Sequence, residues 1–210
     1  MPLSADAERV VYREIFPVAE GEATKLTEAG WQAWVYSADD ARVHRGAANY
    51  VALMRGQPSQ PTDALPVNAD VAADASIETG MMVNWNGGDF WPNPTLYLTE
   101  EFELGEADEL TRVSWFQNNQ SEQGGFRVAL RVGTTWVISD QNFIGYGQRS
   151  LDLADAAWRQ LDPADLGIDA DAALSELPDG PITAFGMFGV HSGYAELDTF
   201  TLHARPEVEP

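Results

Sequence analysis

Residues 95–104 read Thr95-Leu96-Tyr97-Leu98-Thr99-Glu100-Glu101-Phe102-Glu103-Leu104. Leu96, Leu98, Phe102 and Leu104 alternate with Tyr97, Thr99, Glu101 and Glu103, with Glu100 as the one break. A period of two places the two sets on opposite faces of an extended chain, so this run predicts a half-buried β-strand. The pattern recurs. Phe126, Val128, Leu130 and Val132 alternate with Arg127, Ala129 and Arg131, and Val113 and Trp115 alternate with Arg112, Ser114 and Phe116. Further strands are predicted at residues 10–16, 31–36, 136–139, 182–190 and 194–203. Turn chemistry separates them at Asn86-Gly-Gly-Asp89, Gln123-Gly-Gly125, Val132-Gly-Thr134, Pro178-Asp-Gly-Pro181 and His191-Ser-Gly193, the spacing of an all-β sandwich. Helical periodicity is sustained nowhere and no repeat is visible. The expectation is an all-β, two-sheet antiparallel β-sandwich occupying residues 1–210 as one domain. Two stretches carry no strand pattern: a long Pro-rich loop at 56–76, and an acidic irregular segment at 150–180 with a short helix around 170–174.

Composition narrows the function classes. The chain has 33 acidic and 12 basic residues, a formal net charge of −21, and only one lysine, Lys25. Binding to nucleic acid or to an anionic membrane surface needs clustered cations, so both are excluded as expectations. A hydrophobic fraction of 44% and an aromatic fraction of 10% supply a core and exclude disorder. The absence of cysteine removes thiol catalysis, disulfides and Cys-based zinc sites. No apolar run approaches the ~18 residues that span a bilayer, so no membrane insertion is expected. The opening Met1-Pro-Leu-Ser-Ala-Asp-Ala-Glu8 shows neither the basic nor the apolar region of a signal peptide. The chain is then either an internal protein or a module, with other domains, of a larger secreted one. Its acid-rich, lysine-poor surface suits a salty, marine or extracellular setting.

Scarce cations make the arginines informative. Arg112 and Asn118 share one side of their strand, and Arg127 and Arg131 share one side of the next. If these strands pair as a hairpin through residues 117–125, three guanidiniums converge on one sheet face, where their forks suit carboxylate or sulfate. The competing reading is a ladder of internal ion pairs to Glu101 and Glu103. Aromatics in turns supply a second signal, because sugar rings lay their C–H faces on Trp and Tyr. Trp85 and Trp91 flank the 86–89 turn, and Tyr146 sits between Gly145 and Gly147. Trp31, Trp34, Trp115 and Trp136 lie within strand patterns and are expected in the core. His191, in a turn, and Tyr194 are the candidates for proton transfer.

One set of phrases follows a familiar order: Tyr12-Arg-Glu-Ile-Phe-Pro17, Gly30-Trp31, Arg127-Val-Ala-Leu-Arg-Val-Gly133, Trp136-Val-Ile-Ser139, the stretch 177–186, and Glu196-Leu-Asp-Thr-Phe-Thr-Leu202. From about residue 10 to residue 203 the chain resembles the jelly-roll modules, concanavalin A-like or galactose-binding-like, of secreted bacterial polysaccharide-handling proteins. The resemblance implies a non-catalytic carbohydrate-binding module with a polysaccharide partner, at the cell surface or outside the cell. An acidic or sulfated glycan would use Arg112, Arg127, Arg131 and Asn118. A neutral one would use Trp85, Trp91 and Tyr146, with His191 nearby. It also implies a structural Ca²⁺ where the first and last strands meet, held by Glu14 and Asp198 with Glu22 as a third ligand. Glycosidases of this architecture carry Glu-x-Asp-x-x-Glu, whereas Glu196-Leu-Asp198-Thr-Phe-Thr201 ends in threonine. Two alternatives stand beside the leading expectation. One is a structural or decorating sandwich of a cell surface, filament or virion. The other is a polysaccharide lyase using His191 and Tyr194 with Arg127 or Arg131.

Overall fold

The computed structural model describes residues 8–14, 16, 23–38, 40–45, 51–55, 80–85, 93–100, 102, 104–105, 108–119, 125–174, 176–191 and 194–206. The alternating segments form strands in chain order: β1 (Arg9–Glu14), β2 (Ala23–Lys25), β3 (Trp31–Ser37), β4 (Arg42–Arg45), β5 (Val51–Arg55), β6 (Gly80–Trp85), β7 (Asn93–Thr99) and β8 (Asp108–Asn119). They continue with β9 (Phe126–Val132), β10 (Thr135–Ser139), β11 (Gly145–Asp152), β12 (Trp158–Asp162), β13 (Gly167–Leu174), β14 (Ile182–His191) and β15 (Tyr194–Pro206). Two antiparallel sheets result. The eight-stranded one runs β13-β12-β10-β9-β14-β7-β3-β4. The seven-stranded one runs β11-β8-β15-β6-β5-β2, and β1 also pairs with β15. Both β1 and β6 lie along the same strand, β6 against Tyr194–Leu197 and β1 against Phe200–Ala204.

Inward positions of the two sheets meet in one apolar cluster. Val113, Trp115, Leu197, Phe200 and Leu202 come from the seven-stranded sheet, and Trp31, Tyr97, Val128, Leu130, Val137, Phe185 and Met187 from the eight-stranded one. Edge-to-face aromatic pairs bind the layers, for example Tyr12 with Phe185 at 4.9 Å and Phe16 with Trp31 at 5.3 Å. The β9–β10 hairpin closes through Gly133, whose φ of +58° is the left-handed conformation a two-residue hairpin turn requires.

Three expectations are corrected. The segment 150–180 is not irregular, since it contains the end of β11, all of β12 and all of β13. Its acids lie between apolar residues that are buried, Leu151, Leu153, Trp158, Leu161 and Leu166, and these set the strand register. Residues 170–174 belong to β13 rather than to a helix, because β12 offers them a pairing edge. The run that begins at Thr95 ends as a strand at Thr99, with a bend at Glu100, and is buried on both faces. Leu96 and Leu98 belong to a second apolar cluster on the outer face of the eight-stranded sheet, with Trp34, Ala129, Trp136, Ile138, Leu161 and Phe188. The 56–76 stretch lies outside the described residues.

Candidate functional site

Strand pairing decides which arginines meet. β8 and β9 do not form a hairpin. β8 pairs with β11 and β15 in one sheet, and β9 pairs with β10 and β14 in the other. The expected convergence of Arg112 with Arg127 and Arg131 is therefore not formed, because the chain crosses between sheets between residues 119 and 126.

The outer face of the eight-stranded sheet gathers a different set. Arg131 is paired in register with Trp136, Arg45 with Trp34, and Arg159 with Ile138, while Arg127 lies opposite Phe188. Trp34, Trp136, Ile138 and Phe188 all belong to the outer cluster, so Arg45, Arg127, Arg131 and Arg159 share its face. Parity along β4 (Val43, Arg45) and β12 (Arg159, Leu161) was the available signal for the two arginines that sequence reasoning missed. Two guanidiniums stack on tryptophan, Arg45 at 4.2 Å from the Trp34 ring and Arg131 at 5.8 Å from the Trp136 ring. The rings themselves are covered, with Trp34 only 5% and Trp136 only 3% exposed, so neither can serve as a stacking platform for a sugar.

Each arginine of this face is held differently. Arg131 donates to Glu100 and, through Nε, to Thr183 Oγ1 at 2.8 Å. Arg159 pairs with Asp140. Arg127 donates Nη1 to the carbonyl oxygens of Ser139, at 2.8 Å, and Asp140. Its Nε and Nη2 make no bond among the described residues. Neither Arg127 nor Arg45 makes a salt bridge among the described residues, although the Asp140 carboxylate, held by Arg159, also attracts Arg127. Burial lowers the Arg127 pKa from its ordinary value, which marks a guanidinium partly stripped of water. The ion-pair ladder is thus partial, and Glu100 is its described acid partner on Arg131, while Glu101 and Glu103 lie outside the described residues.

Asp140 is held below its ordinary 3.8, chiefly by its hydrogen bond from Arg159. A depressed folded-state pKa contributes stability that is complete above the unfolded value and is lost as pH falls below 3.8. Asp140→Asn is expected to cost less than about 1 kcal/mol at neutral pH, because the pair is exposed. In urea melts run near pH 2 that cost should vanish; an unchanged difference at the two pH values would contradict the pairing.

The seven-stranded sheet holds the remaining candidates. Arg112 pairs with Glu8, and its Nη2 lies 3.3 Å from His203 Nδ1. His203 Nε2 is 3.3 Å from Ser114 Oγ, and Glu8 is 3.7 Å from Nδ1, a serine–histidine–glutamate arrangement unforeseen in the sequence. In one tautomer Nδ1 accepts from Arg112 and the N–H on Nε2 faces Ser114; in the other Nδ1–H faces Glu8 and Nε2 accepts from the Ser114 hydroxyl. Tyr146 pairs with Asn118 across β11 and β8, and its ring packs edge-on against Phe116 at 5.1 Å. Trp85 ends β6 opposite Tyr194. His191 ends β14 opposite Asn93. The side chains of Asn118, Trp85, His191 and Tyr194, and the whole of Trp91, lie outside the described residues.

At the first and last strands, Glu14 Oε1 accepts the N–H of Phe16 at 2.7 Å and Asp198 Oδ1 accepts that of Thr199 at 2.6 Å. Phe16 and Thr199 both adopt positive φ, so these carboxylates brace tight backbone. Calcium takes six to eight oxygens. Glu14 and Asp198 each accept a backbone N–H on one oxygen, and Glu22, the expected third ligand, lies outside the described residues. Among the described residues no three His, Asp or Glu side chains gather as a metal site. No described helix is long and apolar enough to cross a membrane.

No protein-family model matches the chain, and no curated protein is significantly similar to it.

Proposed function

We propose that this chain is a non-catalytic carbohydrate-binding β-sandwich of jelly-roll type that recognises an acidic or sulfated polysaccharide through the arginine face of its eight-stranded sheet. The observation that carries the reading is Arg127. Its Nε and Nη2 form the side-on fork that grips a carboxylate or sulfate with two parallel bonds, and neither nitrogen is used within the described structure. Arg45 stands on the same face, stacked on Trp34 and without a carboxylate partner among the described residues. On a chain of net charge −21, this face gathers four of the twelve cations, two of them outside any salt bridge among the described residues. On this face the covered rings of Trp34 and Trp136 offer no platform to a neutral glycan, which favours an anionic one there. The roll is supported by the winding of the chain, in which β7 pairs with β14 in one sheet while their successors β8 and β15 pair in the other. A secreted or cell-surface setting follows from the ligand class.

Affinity electrophoresis tests the reading. Gels containing alginate or a sulfated galactan should retard the protein, and gels containing a neutral β-glucan should not. Arg127→Lys keeps the charge but loses the fork, and with Arg45→Ala it should abolish most of the retardation. No retardation by any anionic polysaccharide would remove the proposal.

A further inference from the structure

A groove of about 1170 Å³ opens between the sheets at the end of the sandwich where β15 finishes. Its walls are the residues leading into β8, the connection after β11 and the connection from β13 to β14. The floor is apolar. Leu104, Leu177 and Ile182 rest on the main core while remaining partly exposed, and Leu110 and Leu153 lie beneath. The rim is acidic. Asp108 is tied to Arg9 and Glu109 to Arg205, but Asp152, Asp155, Glu176 and Asp179 make no hydrogen bond or ion pair among the described residues. All four are exposed.

We infer that this groove docks a cationic amphipathic segment of a partner protein, with lysines or arginines flanking large apolar side chains. Charge complementarity selects the partner: unpaired carboxylates on the rim attract basic side chains, and the leucine–isoleucine floor accepts the apolar ones between them. Size points the same way, since small-molecule clefts run to roughly 300–1,000 Å³ and this groove is larger. The groove is distinct from the arginine face in position and opposite in sign, so it stands whether or not the chain binds glycans. It would join the domain to a basic neighbour.

The test is fluorescence anisotropy with a labelled peptide of alternating lysine and leucine, beside a lysine–glycine peptide of equal charge. The protein should bind the leucine-containing peptide and release it as salt is raised. The variant Asp152→Asn/Asp155→Asn/Glu176→Gln/Asp179→Asn should bind it about tenfold or more weakly. A control variant, Glu28→Gln/Asp40→Asn/Asp162→Asn/Asp165→Asn, removes the same charge away from the groove and should leave binding within about twofold. Leu177→Asn should weaken binding while leaving the long-range attraction intact. Equal loss in the two charge variants would show diffuse attraction to an acidic protein and overturn the inference. Equal binding of the lysine–glycine peptide would overturn it too, as would failure to bind either peptide.

Discussion

Replacing Trp31 with alanine is expected to cost about 5 kcal/mol, on the scale of the whole net stability of an ordinary domain. Trp31 is 1% exposed and sits where the two sheets meet. It belongs to β3 of the eight-stranded sheet, but its ring lies 5.0 Å from Phe200 of β15 in the opposite sheet. It also packs edge-on to Phe185 and Phe16, both at 5.3 Å. Truncation removes these contacts and leaves a cavity that a rigid strand framework cannot collapse. It also takes away the indole N–H that donates to the Tyr12 hydroxyl at 3.0 Å. Trp31→Phe keeps much of the packing and loses that bond, so its expected cost is about 1–2 kcal/mol. Urea unfolding of the two variants checks both values. A cost below about 2 kcal/mol for the alanine variant would mean that Trp31 does not join the layers.

Gly186→Ala should be nearly as damaging, for a different reason. Gly186 lies in β14 with Leu98 on one neighbouring strand and Ala129 on the other. A Cβ at this position would stand 1.9 Å from the Tyr97 carbonyl oxygen and 2.8 Å from Leu98 Cα. These are backbone atoms of a paired strand, so the methyl group can be accommodated only by moving β7 away from β14. The expected cost exceeds about 3 kcal/mol. Gly133→Ala is the comparison: nothing lies within 4 Å of its Cβ position, so only the positive φ is penalised, by about 1–2 kcal/mol. A Gly186→Ala variant no less stable than Gly133→Ala would refute the close approach of β7 and β14.

The strands were legible where one face is polar. β9 shows its alternation because Arg127 and Arg131 interrupt Phe126, Val128, Leu130 and Val132. Alternation served less well in β7, where Thr95 to Thr99 are all buried and the second apolar layer disguises which face is inward. In the 150–180 stretch the acids mask the spacing of the buried Leu151, Leu153, Trp158 and Leu161. Which arginines share a face depends on one thing the sequence leaves open, the choice of strand partners. A loop between two strands is equally consistent with a hairpin and with a crossing between sheets, and only the long-range pairing of β8 with β15 and of β9 with β14 distinguishes them. The path β9-β14-β7-β3-β4 carries Arg45 to the face of Arg127, while Arg159 reaches it through β10, which pairs with both β9 and β12. The serine–histidine–glutamate group was hidden for the same reason, since Glu8 and His203 meet only through the pairing of β1 with β15.

Backbone amide shift mapping by NMR during titration with a sulfated oligosaccharide locates the binding face. Perturbations should concentrate in β4, β9, β10 and β12 around Arg45, Arg127, Arg131 and Arg159, and should disappear in the Arg127→Lys/Arg45→Ala variant. Perturbations confined to the seven-stranded sheet, or none at saturating ligand, would contradict anion recognition by the arginine face.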